Sequence, residues 1–208
     1  MKLYLGAESG NSWKLRILLD QLAVPYEQVR IDLPAWEHKK DSFIASLNPR
    51  GQVPVLEDEG YIIWDSGACM VYLARKFGRP DWLPVEAGAM AEVLQWVFMA
   101  ETEIQFGLQY ARRGLSRGRW IIGNETNHFQ YQAVGRMALS AMETRLTKHH
   151  WLATERITIA DIACFPYVFQ APEAGLSLDR FPAIRDWLDR CLAIPNWSLV
   201  REPRKERC

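Results

Sequence analysis

The stretch Asn48-Pro49-Arg50-Gly51-Gln52-Val53-Pro54-Val55-Leu56 combines a turn, a proline and a short apolar run. Proline has no backbone N–H, so it does not sit inside an ordinary central strand. We therefore expect an edge strand that is entered through a special turn, with a cis Val53-Pro54 peptide bond. Such a strand leaves the N–H and C=O of Val53 to pair with another extended chain, such as a small peptide.

The segments around this stretch alternate between strand and helix patterns. Strands are expected at residues 2–5, 26–32, 53–56 and 61–64, and helices from residue 13, over 36–46 and over 66–76. Ser12 and Ser66 are the expected N-caps of the first and third helices. The first two strands should be parallel, with a right-handed crossover, whereas the last two form a hairpin. The order β-α-β-α-β-β-α predicts an α/β thioredoxin-like N-terminal domain with a mixed four-stranded sheet.

The second half of the chain has a different character. Residues 89–113 and 126–150 are long helical patterns without strand alternation, with a loop expected at 114–119. Thr158 and Asp161 have the spacing of a capping box, and Pro182 starts a further helix. We therefore divide the chain into a thioredoxin-like domain over 1–77, a linker over 78–88 and an all-α C-terminal domain over 89–208.

Composition excludes several classes of function. The formal net charge of the 208 residues is +0, which argues against a nucleic-acid or anionic-membrane partner. No apolar run reaches the roughly 18 residues of a membrane span, and the N-terminus has no secretory apolar region. The four cysteines form no CxxC pair and no zinc spacing, so no metal is expected. These features predict a cytoplasmic protein.

Several motifs together resemble the cytosolic glutathione S-transferase family. In chain order they are Ser9-Gly10-Asn11-Ser12-Trp13-Lys14-Leu15-Arg16, Asn48-Pro49 with Gln52-Val53-Pro54, Asp65-Ser66, and Thr158-Ile159-Ala160-Asp161. The first is similar to the serine-type active site of zeta- or theta-like bacterial members. It differs from the zeta pattern at Gly10 and Asn11, where that class has a second serine and a cysteine. The resemblance implies a cytoplasmic, homodimeric glutathione transferase that serves detoxification.

Glutathione, γ-Glu-Cys-Gly, is the co-substrate that the resemblance implies. Val53 would pair with its cysteinyl backbone, Ser66 would bind its γ-glutamyl carboxylate, and Asp65 would bind its ammonium group. The glycine carboxylate needs a cation or an amide, for which His38, Lys39, Lys40 and Gln52 lie in the right region and Lys39 and Gln52 are preferred. The implied glutathione contacts are Lys39, Gln52, Val53, Pro54, Asp65 and Ser66. The same residue types also occur as plain edge-strand prolines, helix caps and exposed charged faces.

Catalysis by such an enzyme requires the thiolate of glutathione. A free thiol has a pKa near 8.5, and lowering it by about two units needs roughly 2.7 kcal/mol of preference for the anion. A hydrogen bond to a charged acceptor supplies about 1.5–3 kcal/mol, so one hydroxyl at a helix start is sufficient. The candidate donors are Ser9, Asn11 and Ser12, of which the family alignment favours Ser9. Tyr4 is an alternative donor, and both serines can also be turn or cap residues.

The second substrate would be a small electrophile, attacked in a conjugation, an isomerisation or a glutathione-dependent reduction. Candidate pocket residues in the helical domain are Trp96, Met99, Glu103, Phe106 and Tyr110. Aromatic and Met residues at helical spacing also form ordinary cores. Two other hypotheses are a non-catalytic binding or regulatory module of the same fold and a redox protein of the thioredoxin class. The absence of CxxC argues against the latter.

Overall fold

The computed structural model describes residues 1–78, 80–117 and 127–197. They form two compact units, Met1–Gly78 and Arg79–Pro195, and the first unit also takes in Asn196 and Trp197. Residues 118 and 119 of the expected loop and the last residues of the predicted helical domain, from 198, lie outside the described ranges.

The first unit is a mixed sheet with helices. Its strands pair in the order β2-β1-β3-β4, with β1 and β2 parallel and the other two pairs antiparallel. This arrangement confirms the predicted thioredoxin-like sheet. Its elements are β1 (Lys2–Leu5), α1 (Gly10–Gln21), β2 (Glu27–Arg30), a 3₁₀ turn (Glu37–Lys39), α2 (Asp41–Ser46), β3 (Val55–Asp58), β4 (Tyr61–Trp64) and α3 (Ser66–Lys76).

The position of β3 corrects one expectation. β3 lies between β1 and β4, so the prediction that it is an edge strand is wrong. Its pairing begins at Val55, opposite Tyr4 on β1 and Trp64 on β4. Pro54 thus lies just before the ladder, where its missing N–H removes no strand pairing. The Val53-Pro54 peptide bond is cis, as predicted.

The first helix begins three residues earlier than predicted. Ser9 is its N-cap, and the Ser9 Oγ accepts a hydrogen bond from the Ser12 N–H at 3.2 Å. Ser12 is therefore not the cap. It is fully buried, and its Oγ accepts from the Gly6 N–H at 3.2 Å.

Two other predicted helices also need correction. Ser66 is the first residue of α3 rather than its cap, because Asp65 Oδ1 accepts the Gly67 N–H at 3.1 Å. The weak helix expected over 36–46 is divided into the 3₁₀ turn and α2. Lys40 separates the two pieces with extended backbone, at ψ 145°.

The described part of the second unit is helical. The loop expected at 114–119 is wrong for residues 114–117, which continue a helix. No helix within the described ranges is long and apolar enough to cross a bilayer. The elements are α4 (Ala87–Met99), a π-helical segment (Ala100–Gln109), α5 (Tyr110–Arg117), α6 (His128–Leu146), α7 (Ile159–Phe169), a 3₁₀ turn (Ala171–Ala174) and α8 (Pro182–Leu192).

The predicted capping box at the start of α7 is confirmed. Thr158 Oγ1 accepts the Ala160 N–H at 3.2 Å, and Asp161 Oδ2 accepts the Thr158 N–H at 3.0 Å. The second oxygen of Asp161 accepts from the Leu152 N–H at 3.1 Å and from Trp187 Nε1 at 3.0 Å. Complete burial raises the pKa of Asp161 to about 6, although these hydrogen bonds act to lower it.

Replacing Asp161 with Asn should change how stability depends on pH. The folded-state pKa of about 6 lies above the usual 3.8, so between these values the folded protein keeps a proton that the unfolded chain has lost. This group's contribution to the unfolding free energy therefore falls by about 2–3 kcal/mol as pH rises from 4 to 7. Asp161→Asn lacks this slope. The unfolding free energy of Asp161→Asn, measured by urea titration, should be lower than that of the wild-type chain. This difference should shrink by about 2–3 kcal/mol from pH 4 to pH 7.

The exposed Asp179 provides the matched control, because Asp179→Asn removes a carboxylate that is already in water. The same urea titrations of Asp179→Asn therefore serve as the reference for the loss of one carboxylate. A deficit of Asp161→Asn that stays constant from pH 4 to pH 7 would contradict the raised pKa.

Candidate active site

The loop before β3 is closed by the side chain of Asn48, which is only 2% exposed. Its Nδ2 donates to the Gln52 C=O at 2.9 Å, and its Oδ1 accepts the Arg50 N–H at 2.9 Å. The Gly51 N–H donates to the backbone oxygen of Asn48 at 2.8 Å. These three bonds fix the backbone that leads directly into Val53.

Val53 presents its backbone next to this closed loop. Within the described ranges, neither its N–H nor its C=O takes part in a hydrogen bond. Its side chain is half-buried and Pro54 is buried, so the loop is anchored while Gln52 is exposed. The arrangement is that of one donor and one acceptor offered to an extended ligand, although β3 is a central strand.

Lys39 is the basic residue of the 3₁₀ turn that reaches this loop. Its Nζ donates to the Arg50 C=O at 3.1 Å, on the exposed side beside Gln52. Lys40 instead pairs with Glu37 at 3.8 Å. Lys39 therefore contacts the loop that carries Gln52, whereas Lys40 forms an ion pair with Glu37.

Asp65 lies at the start of α3 in a backbone conformation that residues other than glycine rarely adopt. Its φ is +75°, which indicates local strain held by the surrounding structure. One carboxylate oxygen caps Gly67, and the other pairs with Arg50 Nη1 at 3.2 Å. Sequence reasoning missed Arg50, because it lies 15 residues from Asp65 on the other side of a hairpin, and no periodicity joins them.

Ser66 follows Asp65 and is only 2% exposed, and the fully buried Lys14 of α1 lies against it. Lys14 Nζ donates to Ser66 Oγ at 3.3 Å. This residue was also missed, although the sequence carried a signal. Lys14 shares a helix face with Ile17 and Leu18, and a lysine on an apolar face is unusual.

Ser9 and Asn11 lie at the start of α1, where both are half-buried. The Ser9 Oγ accepts from the Ser12 N–H, and its hydroxyl forms no other hydrogen bond among the described residues. The Ser9 proton is therefore available to an acceptor. Ser12 has 0% exposure and its Oγ accepts the Gly6 N–H, so the structure favours Ser9 over Ser12 as the donor.

The segment that carries Ser9 lies beside Val53. The Gly6 C=O accepts the Ser9 N–H at 3.0 Å. A Cβ atom built on Gly6 would lie 3.3 Å from the Val53 Cγ2. The start of α1 and the backbone of Val53 are thus neighbours within the first unit.

Tyr4 is engaged elsewhere. Its hydroxyl donates to Glu57 Oε2 at 2.6 Å. That hydrogen bond, together with burial, raises the pKa of Tyr4 to about 12. Tyr4 would have to leave Glu57 before it could donate to a ligand, which favours Ser9 as the donor.

The second unit contains a cavity of about 410 Å³. Three of the five predicted pocket residues, Glu103, Phe106 and Tyr110, line it. Trp96 is buried in the core at 9% exposure, and Met99 does not line the cavity. The remaining lining residues are Glu101, Thr102, Gln105 and Val134. Among the described residues, no group of three or more His, Cys, Asp or Glu side chains could hold a metal ion.

Replacing Gly51 with Ala should disturb the loop next to Lys39. The backbone of Gly51 has φ +57°, and an added Cβ would lie 2.7 Å from the His38 C=O. We expect the unfolding free energy to fall by about 2–4 kcal/mol, from both strain and the clash. Urea denaturation measures this loss.

Gly60 offers a matched control, because it also has a positive φ, of +84°, but an added Cβ would meet nothing within 4 Å. Gly60→Ala should cost only about 1 kcal/mol. Equal losses of unfolding free energy in Gly51→Ala and Gly60→Ala would show that the contact with the His38 C=O does not destabilise the variant.

Two family profiles match the chain. One, described as Glutathione S-transferase, N-terminal domain, matches residues 1–75. The other, described as Glutathione S-transferase, C-terminal domain, matches residues 133–195. Together they cover more than half of the chain.

Individual relatives agree with this assignment. A crystal structure of glutathione S-transferase from Pseudomonas fluorescens Pf-5 is similar with a TM-score of 0.84 and 32% identity, over 94% of this chain and 96% of that one. A maleylacetoacetate isomerase of Pseudomonas aeruginosa is 28% identical, over 94% of this chain and 92% of its own. The disulfide-bond oxidoreductase YfcG of Escherichia coli is 26% identical, over 91% and 89%. With both profiles matched, the chain belongs to the glutathione S-transferase family.

Proposed function

We propose that this chain is a glutathione transferase that holds the thiol of glutathione as a thiolate for attack on a small electrophile. The observation that carries the proposal is the Ser9 hydroxyl, a half-buried donor at a helix start, beside the backbone of Val53. The reaction class is conjugation, isomerisation or glutathione-dependent reduction. The names of the family's members support the use of glutathione.

Each part of glutathione has a partner in this proposal. The cysteinyl backbone pairs with the N–H and C=O of Val53, in the manner of strand addition. The γ-glutamyl carboxylate binds Ser66 at the start of α3, and its ammonium binds Asp65 beside Arg50. Lys39 and Gln52, which share the same loop edge, bind the glycine carboxylate. The match of two carboxylates and one ammonium to groups of opposite charge supports this orientation.

Ser9 is the proposed donor to the sulfur. Because a backbone N–H can only donate, the bond from Ser12 makes the Ser9 oxygen an acceptor and leaves its proton for the thiolate. The hydroxyl contributes about 1.5–3 kcal/mol, and the start of α1 adds about 0.3–1 kcal/mol. That sum is enough to lower the thiol pKa by about two units, so no general base is required. Asn11, which lies two residues after Ser9 in the first turn of α1, is a second candidate donor.

Replacing Ser9 with Ala should lower turnover by about 10- to 1000-fold, the loss expected for one donor to an anion. The pKa of bound glutathione, measured by thiolate absorbance in the ultraviolet, should rise by about one to two units. Ser46→Ala, on the exposed face of α2, is the control and should change neither quantity. Unchanged turnover and thiol pKa in Ser9→Ala would move the assignment to Asn11 or Tyr4. Glutathione binding without turnover of any electrophile by the wild-type chain would instead favour a non-catalytic module.

A reductase that uses the cysteines of the described part of the chain is disfavoured. Cys69, Cys164 and Cys191 are buried thiols, and burial raises the pKa of Cys191. Exchange requires an accessible thiolate, so reduction by this chain would run through bound glutathione. We also propose the cytoplasm as its compartment, where such thiols stay reduced.

The electrophile pocket is assigned to the cavity that Glu103, Phe106 and Tyr110 line. The rings of Phe106 and Tyr110 lie 5.0 Å apart, and that of Phe106 lies 5.1 Å from Tyr131. These tilted and edge-to-face rings give the cavity an aromatic wall, which suits a flat, apolar electrophile.

We propose a homodimer on the basis of exposed apolar surface. Phe129 and Met137 of α6 are 74% and 71% exposed, and the exposed Ala133 and Ala141 continue their stripe at four-residue spacing. Tyr61 on the edge strand β4 is 64% exposed. Exposed apolar patches of this kind mark association surfaces.

Replacing Met137 with Glu should dissociate the dimer, because a carboxylate in an apolar interface loses its hydration without gaining a partner. Sedimentation velocity at micromolar concentration should show a dimer for the wild-type chain and a monomer for the variant. Val85→Glu is the control, since Val85 is 68% exposed but lies outside this stripe. A monomeric wild-type chain, or a dimer that tolerates Met137→Glu, would contradict the proposed interface.

A further inference from the structure

The cavity of the second unit takes nearly all of its lining from one short segment. Six of its seven lining residues belong to the π-helical segment Ala100–Gln109 or to Tyr110, which follows it, and the seventh is Val134 of α6. The Tyr110 N–H donates to the Gln105 C=O, five residues earlier, which is the hydrogen bond that defines a π-helix. π-helical turns are rare and occur frequently at functional sites. The backbone thus supports a binding role for this cavity.

The π-helical segment packs against α6 through a pair of glycines. A Cβ atom built on the buried Gly107 would lie 2.5 Å from the Cα of Gly135, so a larger residue at position 107 would clash with the backbone of α6. Ile104 and Leu108 of the same segment are 0% and 1% exposed. Glu103 and Phe106, by contrast, are exposed and line the cavity. These two side chains therefore project from a backbone that close packing fixes.

Three rings form the aromatic wall of the cavity. The ring of Phe106 lies 5.0 Å from that of Tyr110 and 5.1 Å from that of Tyr131, and the two tyrosine rings lie 5.9 Å apart. Tyr131 meets both other rings edge-on. Phe106 is 38% exposed, so part of its ring is open to a ligand. The face of an aromatic ring is negative and attracts cations as well as apolar groups.

The charged side chains of the lining are all acidic. They are Glu101 and Glu103, and within the described part of the chain no Lys, Arg or His belongs to the lining. Oε2 of Glu103 accepts from the hydroxyl of Thr102, and no ion pair joins Glu103 to another described residue. Glu103 therefore brings a carboxylate to the aromatic wall with no described cation beside it. A carboxylate in this position attracts a cationic ligand and repels an anionic one.

We propose that this cavity takes a flat aromatic electrophile that carries a positive charge, and that Glu103 is the residue that selects the charge. The inference rests on the proposed function and names the substrate class of its second site. The rings supply apolar contact and a cation–π contact, and the carboxylate supplies the discrimination against anions. Glu103 and Phe106 contribute to substrate binding, whereas Ser9 of the first unit stabilises the thiolate.

The test uses three amides of 4-chloro-3-nitrobenzoic acid that differ only at the end of the amide substituent. The substituents are the cationic 2-(trimethylammonio)ethyl group, its neutral isostere 3,3-dimethylbutyl and the anionic 2-carboxyethyl group. Titration calorimetry without glutathione measures the affinity of the wild-type chain for each amide. The cationic amide should bind about 3- to 30-fold more tightly than its neutral isostere, which is the range of a cation–π contact. The anionic amide should bind most weakly.

The same amides measure turnover when glutathione is added. The thiol proton goes to solvent, the sulfur bonds to the ring carbon that carries chlorine, and chloride leaves with the electron pair of the C–Cl bond. The kcat/KM values, each divided by the rate constant of the uncatalysed reaction, should follow the same order as the affinities.

Two variants locate the charge preference. Glu103→Gln keeps the size of the side chain and removes its charge, so it should lower the preference for the cationic over the neutral amide about threefold. Phe106→Leu keeps an apolar contact and removes the ring, and it should also lower this preference. Glu92→Gln is the matched control, because Glu92 is an exposed glutamate of α4 that does not line the cavity. It should leave the preference unchanged.

The inference is overturned if the wild-type chain binds the cationic and neutral amides equally, or binds none of the three. It is also overturned if Glu103→Gln keeps the full preference, or if Glu92→Gln loses as much of it as Glu103→Gln does. Turnover without a charge preference would leave the proposed function intact. Failure of glutathione to bind would refute the proposed function separately, because the affinities of the amides are measured without it.

Discussion

The hydrogen bonds of the buried Asn48 side chain are the constraint on which the site depends. They close the loop from Asn48 to Gln52 on itself, so the loop needs no strand partner of its own. Because Pro54 has no backbone N–H, the pairing of β3 begins only at Val55 and leaves Val53 outside the ladder. The result is a backbone segment at Val53 with one donor and one acceptor that no described part of the chain uses. The tripeptide of the proposed function would pair with these two groups without breaking a strand hydrogen bond.

The N-termini of α1 and α3 are the other two parts of the proposed site, and each favours a different anionic group of the ligand. Ser9 is the N-cap of α1, and α3 begins at Ser66, whose Oγ accepts a hydrogen bond from Lys14 Nζ. Helix N-termini favour anions, and glutathione brings a thiolate and a carboxylate. In the proposed orientation, Asp65, which pairs with Arg50, is the negative group that binds the ammonium. Charge complementarity along the ligand thus follows from where the two helices begin.

Local patterns in the sequence predicted most of the first unit, because strand alternation, turn residues and short connections are encoded over a few positions. The strand topology and the cis Val53-Pro54 bond of the first unit agree with those predictions. In the second unit, so does the Thr158–Asp161 capping box. Long-range partners were not readable. The edge position expected for β3 was wrong because nothing local shows that β1 pairs with its other side. Arg50 and Lys14 were missed for the same reason, since their partners are 15 and 52 residues away.

A crystal structure of the chain with glutathione bound would show whether Val53 and Ser9 hold the ligand. The measured quantities are the distances from Val53 N and O to the cysteinyl backbone of the ligand and from Ser9 Oγ to its sulfur. The account predicts two backbone hydrogen bonds of about 2.9 Å and a hydroxyl–sulfur distance within hydrogen-bond range. A ligand whose cysteinyl backbone bypasses Val53, or whose sulfur contacts Tyr4 instead of Ser9, would contradict it.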